Sequence, residues 1–344
     1  MDLEGLYFKV KESIGRLDLS SIWPGFKPLK FALYDSENCF FDGRFIEKTP
    51  AFCANTSINF EGEQIAIWMV QEELEIPVLT AKLVHEMFHG FQTLSGWDCW
   101  PNEMEALQKY RYRAENLSIK LRENELLLSL LGGFESGAYS ELIECRKIRS
   151  EKFPSEFTYE SEFEEIEGTA NYVEWQVLRQ LDCRAADALA DRMREVMTKP
   201  GYLFPIRISC YFTGALMINA MISAGDYTFT PSDRPVIKQL LMDMPCAGDM
   251  PECPLNKEVS DAIDSFEAAT DSIIRTALEN NEVVLGGGYE LVFVNIYNAR
   301  CRGGYITSEY FVMYRDGEEE KMLPGNYVVK MRDEKTIDCV YRWK

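Results

Sequence analysis

The two histidines of this chain stand four residues apart, with a glutamate directly after the first: His85-Glu86-Met87-Phe88-His89. On an α-helix, positions i and i+4 project from one face, so both imidazoles can reach one cation. Glu86 is turned about 100° from them and can address a water beside that cation. The chemistry this pattern points to is metal-assisted hydrolysis, with zinc as the ion and Glu86 as the proton acceptor. Two unrelated histidines on a buried helix are the alternative. Buried imidazoles need partners, however, and two stacked beside a carboxylate are more readily explained by a shared cation.

A tetrahedral catalytic zinc takes a third protein ligand and keeps one open position. With no third histidine in the chain, that ligand is a carboxylate or a thiolate. The stretch from Phe163 to Trp175 supplies a candidate. Its apolar positions Phe163, Ile166, Ala170 and Val173, continued by Val177 and Leu181, mark one helical stripe, and Glu167 lies at its edge, where a ligand can face a neighbouring helix. Glu164 is the second choice. Gly168 and Ala170 are small enough to let helices approach closely. Without the histidine pair, Glu164, Glu165 and Glu167 would read as a solvated acidic face.

His85-Glu86-x-x-His89 followed by Glu167-Gly168-Thr169-Ala170 resembles the gluzincin branch of zinc metallopeptidases, which includes thermolysin-like and aminopeptidase-N-like enzymes. The resemblance implies His85, His89 and Glu167 as zinc ligands, Glu86 as general base, and a sheet whose edge strand lies beside the cleft. It places Asn171 where thermolysin-like enzymes carry an aspartate that orients a zinc histidine. Tyr211-x-x-Gly214-Ala215-Leu216 is similar to the segment carrying the transition-state tyrosine of aminopeptidase-N-like enzymes, which makes Tyr211 the oxyanion donor. Tyr202 and Arg207 are substitutes for that role, and a tyrosine merely packed between helices is the plainer alternative. The 77 residues between His89 and Glu167 imply helical insertions. By analogy, the segment from Ile65 to Met69 offers backbone hydrogen bonds to an extended peptide, or is simply core β-structure.

The elements that must position these residues read as an α+β, zincin-like catalytic unit over 1–284, with a small sheet in 1–75 and a helical body in 76–284, followed by a small β-rich unit over 285–344. Short extended segments are expected at Phe31–Tyr34, Phe52–Ala54 and Gln64–Val70, separated by turn-formers such as Asp42-Gly43 and Glu61-Gly62. Pro77 suits a first helical turn and Gly96 a C-terminal cap. Leu79, Leu83, Met87 and Leu94 give the helix between them an apolar side for the sheet. Further helices are expected near 102–131, 137–150, 157–182, 184–197, 206–224, 233–243 and 257–280. Strands are expected at Tyr289–Ile296, Tyr305–Tyr314, Asn326–Met331 and Thr336–Trp343. Gly286-Gly287-Gly288 reads as a flexible joint, since no Gly-Lys-Ser/Thr follows it.

Composition narrows the function class. Fifty-six acidic against 36 basic residues leave a charge of −20, which repels phosphate backbones and anionic lipid, so neither nucleic acid nor a membrane is an expected partner. The start Met1-Asp2-Leu3-Glu4-Gly5 lacks a secretory pattern, and the ten cysteines include no Cys-x-x-Cys pair, which points to the cytoplasm and reduced, mostly buried thiols. Cys246 and Cys253 could bridge in an oxidising compartment. Ser136-Gly137 has no spare histidine to activate it, which disfavours a Ser-His-Asp hydrolase. The expected substrate is a peptide or protein. A zincin-like hydrolase of a non-peptide bond and a catalytically silent zinc-binding protein are the alternatives.

Overall fold

The computed structural model describes residues 2–228 and 254–343. The expected helix at 233–243 and the Cys246/Cys253 pair lie outside the described residues. The described residues are mixed, about 53% helix and 20% strand, which is α+β in the general sense.

The amino-terminal region is not all extended. Helix α1 (Leu3–Ile14) opens it, capped by Asp2, whose carboxylate accepts from Gly5 N at 2.8 Å. Leu3, Tyr7, Val10 and Ile14 recur at helical spacing and are buried. Tyr7 stacks on Phe31 with ring centroids 4.4 Å apart. A short α2 (Leu19–Ile22) follows. The sheet contains β1 (Lys30–Tyr34), β2 (Cys39–Phe41), β3 (Arg44–Ile46), β4 (Thr56–Phe60) and β5 (Glu63–Met69), in the order β3-β2-β1-β5-β4. Only the β1–β5 pairing is parallel. Phe52–Ala54 is not a strand; it lies in the loop before β4. Strand β5 is paired on both sides, so the segment expected to offer a free backbone edge is interior, and β4 holds that edge instead.

Helix α3 (Ile76–Leu94) carries Pro77 in its first turn and packs Leu79, Leu83 and Met87 inward. Leu94, expected on that side, is 66% exposed because the helix ends there. A Cβ on Gly90 would come within 2.4 Å of Leu29 Cδ1 and 2.8 Å of Ser57 Oγ, so the helix lies close on the sheet region and a larger residue here would require those side chains to move.

The spacer is helical, as anticipated, but 102–131 is two helices, α4 (Glu103–Lys109) and α5 (Ala114–Gly132). The break at 110–113 has no Gly or Pro. Its causes are tertiary: the Tyr110 hydroxyl donates to Glu160 at 2.6 Å, and that of Tyr112 accepts from Ile206 N at 3.3 Å. Then come α6 (Ser136–Lys152), α7 (Pro154–Phe163), a single π-helical turn at Glu164–Gly168, α8 (Thr169–Leu181), α9 (Cys183–Met197) and α10 (Ile206–Ala224). Helix α10 alone among the described helices is long and apolar enough to cross a bilayer, and 67% of its apolar window is buried within the protein. Helix α11 (Lys257–Asn280) leads into the C-terminal strands.

Those strands form two sheets. One contains β7 (Glu290–Val294), β10 (Phe311–Asp316) and β11 (Glu319–Pro324). The other contains β6 (Val283–Leu285), β8 (Arg300–Arg302), β9 (Tyr305–Ser308), β12 (Tyr327–Met331) and β13 (Ile337–Arg342). The single strand expected over Tyr305–Tyr314 is broken at Tyr310, whose φ of 72° lets the chain switch sheets. The triple glycine is not a joint ahead of this region, because β6, which precedes it, already pairs with β13. Gly287 is packed so that a Cβ would meet Asp338 O at 2.4 Å. None of the described cysteines is disulfide-linked; Cys39, Cys145 and Cys210 are buried, whereas Cys53 and Cys183 are exposed.

Candidate metal centre

Helices α3 and α8, with the π turn between α7 and α8, bring the predicted ligands together. His85 Nε2 and His89 Nε2 are 3.1 Å apart, and Glu167 Oε2 lies 3.5 Å from the first and 3.2 Å from the second. Metal bonds of about 2.0–2.1 Å directed to the corners of a tetrahedron place ligand atoms about 3.3–3.4 Å apart. The three side-chain atoms therefore form one face of such a tetrahedron.

The far nitrogens decide the protonation of the near ones. Gln92 Nε2 donates to Ile166 O at 2.9 Å and Thr169 Oγ1 at 3.0 Å, so its Oε1 faces His89 Nδ1, at 2.8 Å, as an acceptor. His89 thus carries its proton on Nδ1 and a lone pair on Nε2. His85 Nδ1 faces the Glu174 carboxylate, with Oε2 at 3.2 Å but no aligned hydrogen bond, and the negative charge there favours the same tautomer. With both far nitrogens protonated, two lone pairs and a carboxylate oxygen converge on one point, and three acceptors at that spacing repel unless a proton or a metal cation lies between them. Without a metal the proton takes that place: burial opposes protonation of His85, but Glu167 and Glu174 outweigh it and push its pKa up to about 10, so a metal binds by displacing the Nε2 proton. Burial likewise opposes ionisation of Glu167, yet the histidines hold its pKa well below the usual carboxylate range.

The other predicted residues fall as follows. Glu86 lines the adjoining cavity of about 710 Å³, and burial raises its pKa, against the pull of both histidines. Tyr211, from α10, lies parallel to the His85 ring at 6.4 Å and lines the same cavity. Its phenol is pushed up first by burial and then by the charge of Glu167. Tyr202 lines the cavity too, with its hydroxyl donated to Ile208 O at 3.2 Å. Arg207 reaches Glu167 Oε1 at 3.9 Å and is anchored to Glu103 Oε2 at 2.9 Å, while its Nη1 is buried without a hydrogen-bond partner.

Two expectations change. Asn171 lines the cavity, but the acceptor facing His85 is Glu174, one turn further along α8. Glu164 is not a ligand, because it is fully buried against Lys120 Nζ at 2.9 Å and hydrogen-bonded to Thr213 and Arg146. It belongs to a buried cluster of three cations (Lys120, Arg146, Arg149) and three carboxylates (Glu123, Glu160, Glu164). That cluster fixes one end of the π turn whose other end carries Glu167. Gly168 fixes the other side of the turn: a Cβ there would lie 2.5 Å from Gly214 Cα, so its close approach is to α10 and not to the histidine helix.

Gln92, Glu174, Glu103 and Tyr297 were not anticipated. Gln92 follows His89 by three residues and Glu174 follows Glu167 by seven, so each shares a helical face with a ligand, and that spacing was the available signal. Compared with models of protein families, with curated proteins and with solved structures, the chain matches none.

Proposed function

We propose that this chain is a zinc-dependent hydrolase of the gluzincin type, most simply a peptidase, with a zincin-like arrangement of sheet, histidine helix and glutamate helix. The observation that carries the reading is the convergence of two Nε2 atoms and one carboxylate oxygen, with His89 held from behind by Gln92 and His85 backed by the Glu174 carboxylate. Residues His85, His89 and Glu167 would hold the ion. When bound, zinc supplies an electrophile that polarises a carbonyl and acidifies water.

The remaining chemistry belongs to the protein. Glu86, its pKa raised by burial, takes the proton of the attacking water and delivers it to the leaving amine. Tyr211 donates its phenolic proton toward the carbonyl oxygen as that oxygen gains charge. Arg207 lines the same cavity, but its Nε and Nη2 are engaged by Glu103, which favours Tyr211 over Arg207 for this role. Asn55, Thr56 and Ser57, at the start of the free edge strand β4, line the cleft where an extended peptide would add as a further strand. The test is Glu86→Gln, assayed on a fluorescence-quenched peptide library beside a panel of small esters and amides. The expected result is stoichiometric zinc with peptide turnover lost. Parent-like turnover in the variant overturns the role of Glu86, and parent activity confined to small esters replaces peptides with the non-peptide alternative.

A further inference from the structure

Arg207 is the residue through which the C-terminal β segment meets the candidate metal centre. Its guanidinium lies 4.0 Å from the centroid of the Tyr297 ring, and 4.9 and 5.6 Å from those of Phe163 and Tyr211. Tyr297 occupies the turn between β7 and β8. The flanking Ile296 and Ala299 are buried, and the turn is closed by hydrogen bonds from Asn298 N and Ala299 N to Asn295 O. The side chain is 52% exposed, so its position is set by that anchored turn, by Arg207 and by a hydrogen bond between its hydroxyl and that of Tyr211. The other support of Arg207 leads to the same place. Glu103 begins α4, whose Met104 and Leu107 pack on the core of the C-terminal sheets and whose Gln108 donates to Glu334 O at 3.0 Å.

We propose that Tyr297 is a positioning residue for the metal ligand Glu167, acting through Arg207, so that the C-terminal β segment completes the metal centre. This rests on the zinc reading given above. The planar guanidinium is held between an aromatic face and the Glu103 carboxylate, to which Nε and Nη2 both donate, and this brings its charge to 3.9 Å from Glu167 Oε1, leaving Oε2 turned to the histidines. Loss of the ring removes the nearest of the aromatic faces that hold the guanidinium plane and loosens its approach to Glu167. Oε1 then loses the charge that steadies the carboxylate's orientation, the kind of outer support whose removal weakens metal binding ten- to a hundredfold, roughly.

The experiment is competition for zinc between the full-length protein and a chromophoric chelator, with the visible spectrum of the cobalt-loaded protein as a second readout. Tyr297→Ala is expected to bind zinc about ten- to a hundredfold more weakly and to alter the cobalt band. Tyr297→Phe, which keeps the ring, is expected to stay within about threefold of the parent, and Arg207→Lys, which cannot stack, to match Tyr297→Ala. Melting in excess chelator is expected to be the same for the parent and the two Tyr297 variants, since the exposed ring adds little to the apo fold, whereas Arg207→Lys, which changes a buried ion pair, is expected to melt lower. Parent-like zinc affinity in Tyr297→Ala, or an equal loss in Tyr297→Phe, overturns this inference alone. Absence of stoichiometric zinc from the parent overturns the underlying reading, and this inference with it.

Discussion

Replacing Glu174 by alanine separates the geometry found here from the arrangement the resemblance implies. Its Oε2 faces His85 Nδ1 at 3.2 Å, and its side chain is 13% exposed, with Lys82 Nζ 3.7 Å from its other oxygen. A hydrogen bond to a charged group contributes about 1.5–3 kcal/mol. This contact is longer than the roughly 2.7–2.9 Å of an optimal charge-assisted bond and is not aligned as one, so the bottom of that range, about 1.5 kcal/mol, applies. At 1.4 kcal/mol per factor of ten, zinc affinity should fall about tenfold, because the carboxylate charge that favours the Nδ1 proton, and with it the tautomer presenting Nε2 to the ion, is gone. Glu174→Gln, which keeps an acceptor oxygen without the charge, should recover part of the loss. Asn171→Ala should stay within about twofold of the parent, since Asn171 faces the cavity. The assay is zinc competition against a chromophoric chelator at fixed pH and ionic strength. Parent-like affinity in Glu174→Ala, together with a large loss in Asn171→Ala, would return the supporting role to Asn171.

Other expectations concern the scaffold. Gly214→Ala places a Cβ 2.7 Å from Glu164 O and from Gly168 Cα, so it should cost about 1–3 kcal/mol in a chelator-treated urea melt and also weaken zinc binding, because the π turn must shift. An unchanged melt would mean that α10 can move away without consequence. Arg146→Met leaves the carboxylates of Glu123 and Glu164 short of a buried cation and should destabilise the fold by about 3–5 kcal/mol, read by the same melt. Burial opposes ionisation of Glu164, but Arg146 and Lys120 overcome it and hold its pKa well below the ordinary 4.5. Its contribution is therefore present above about pH 4.5 and is lost as pH falls toward the folded-state value, so stability of the chelator-treated protein should drop with acid in the parent and drop less steeply in Glu164→Gln. Equal acid slopes would place the sensitivity elsewhere.

How far the chain could be read varied with the range of the interaction. Helix α3 and its two histidines were legible because everything that defines them is local: Pro77, the apolar spacing and the four-residue step. Glu167 was legible as one of several glutamates on a stripe. What separates it from Glu164 is a long-range event, the capture of Glu164 by Lys120 and Arg146 from two other helices. Helix α1 was within reach, since Leu3, Tyr7, Val10 and Ile14 follow helical spacing behind an Asp cap, but the aromatic residues of the strands after it dominated the reading of the whole region. The break at 110–113 and the sheet switch at Tyr310 carry no glycine or proline, and only tertiary partners reveal them. Strand order was equally out of reach. Nothing in the run from Ile65 to Met69 tells that β1 takes one of its sides and β4 the other, which moves the free edge to β4.

The most direct measurement is the metal content of the purified full-length protein and of its Glu167→Ala variant, by elemental mass spectrometry after exhaustive buffer exchange. One zinc per chain is expected in the parent and a sharp fall in the variant, with the fold retained. A parent that retains no metal after zinc reconstitution, or a variant that holds zinc as the parent does, would contradict it.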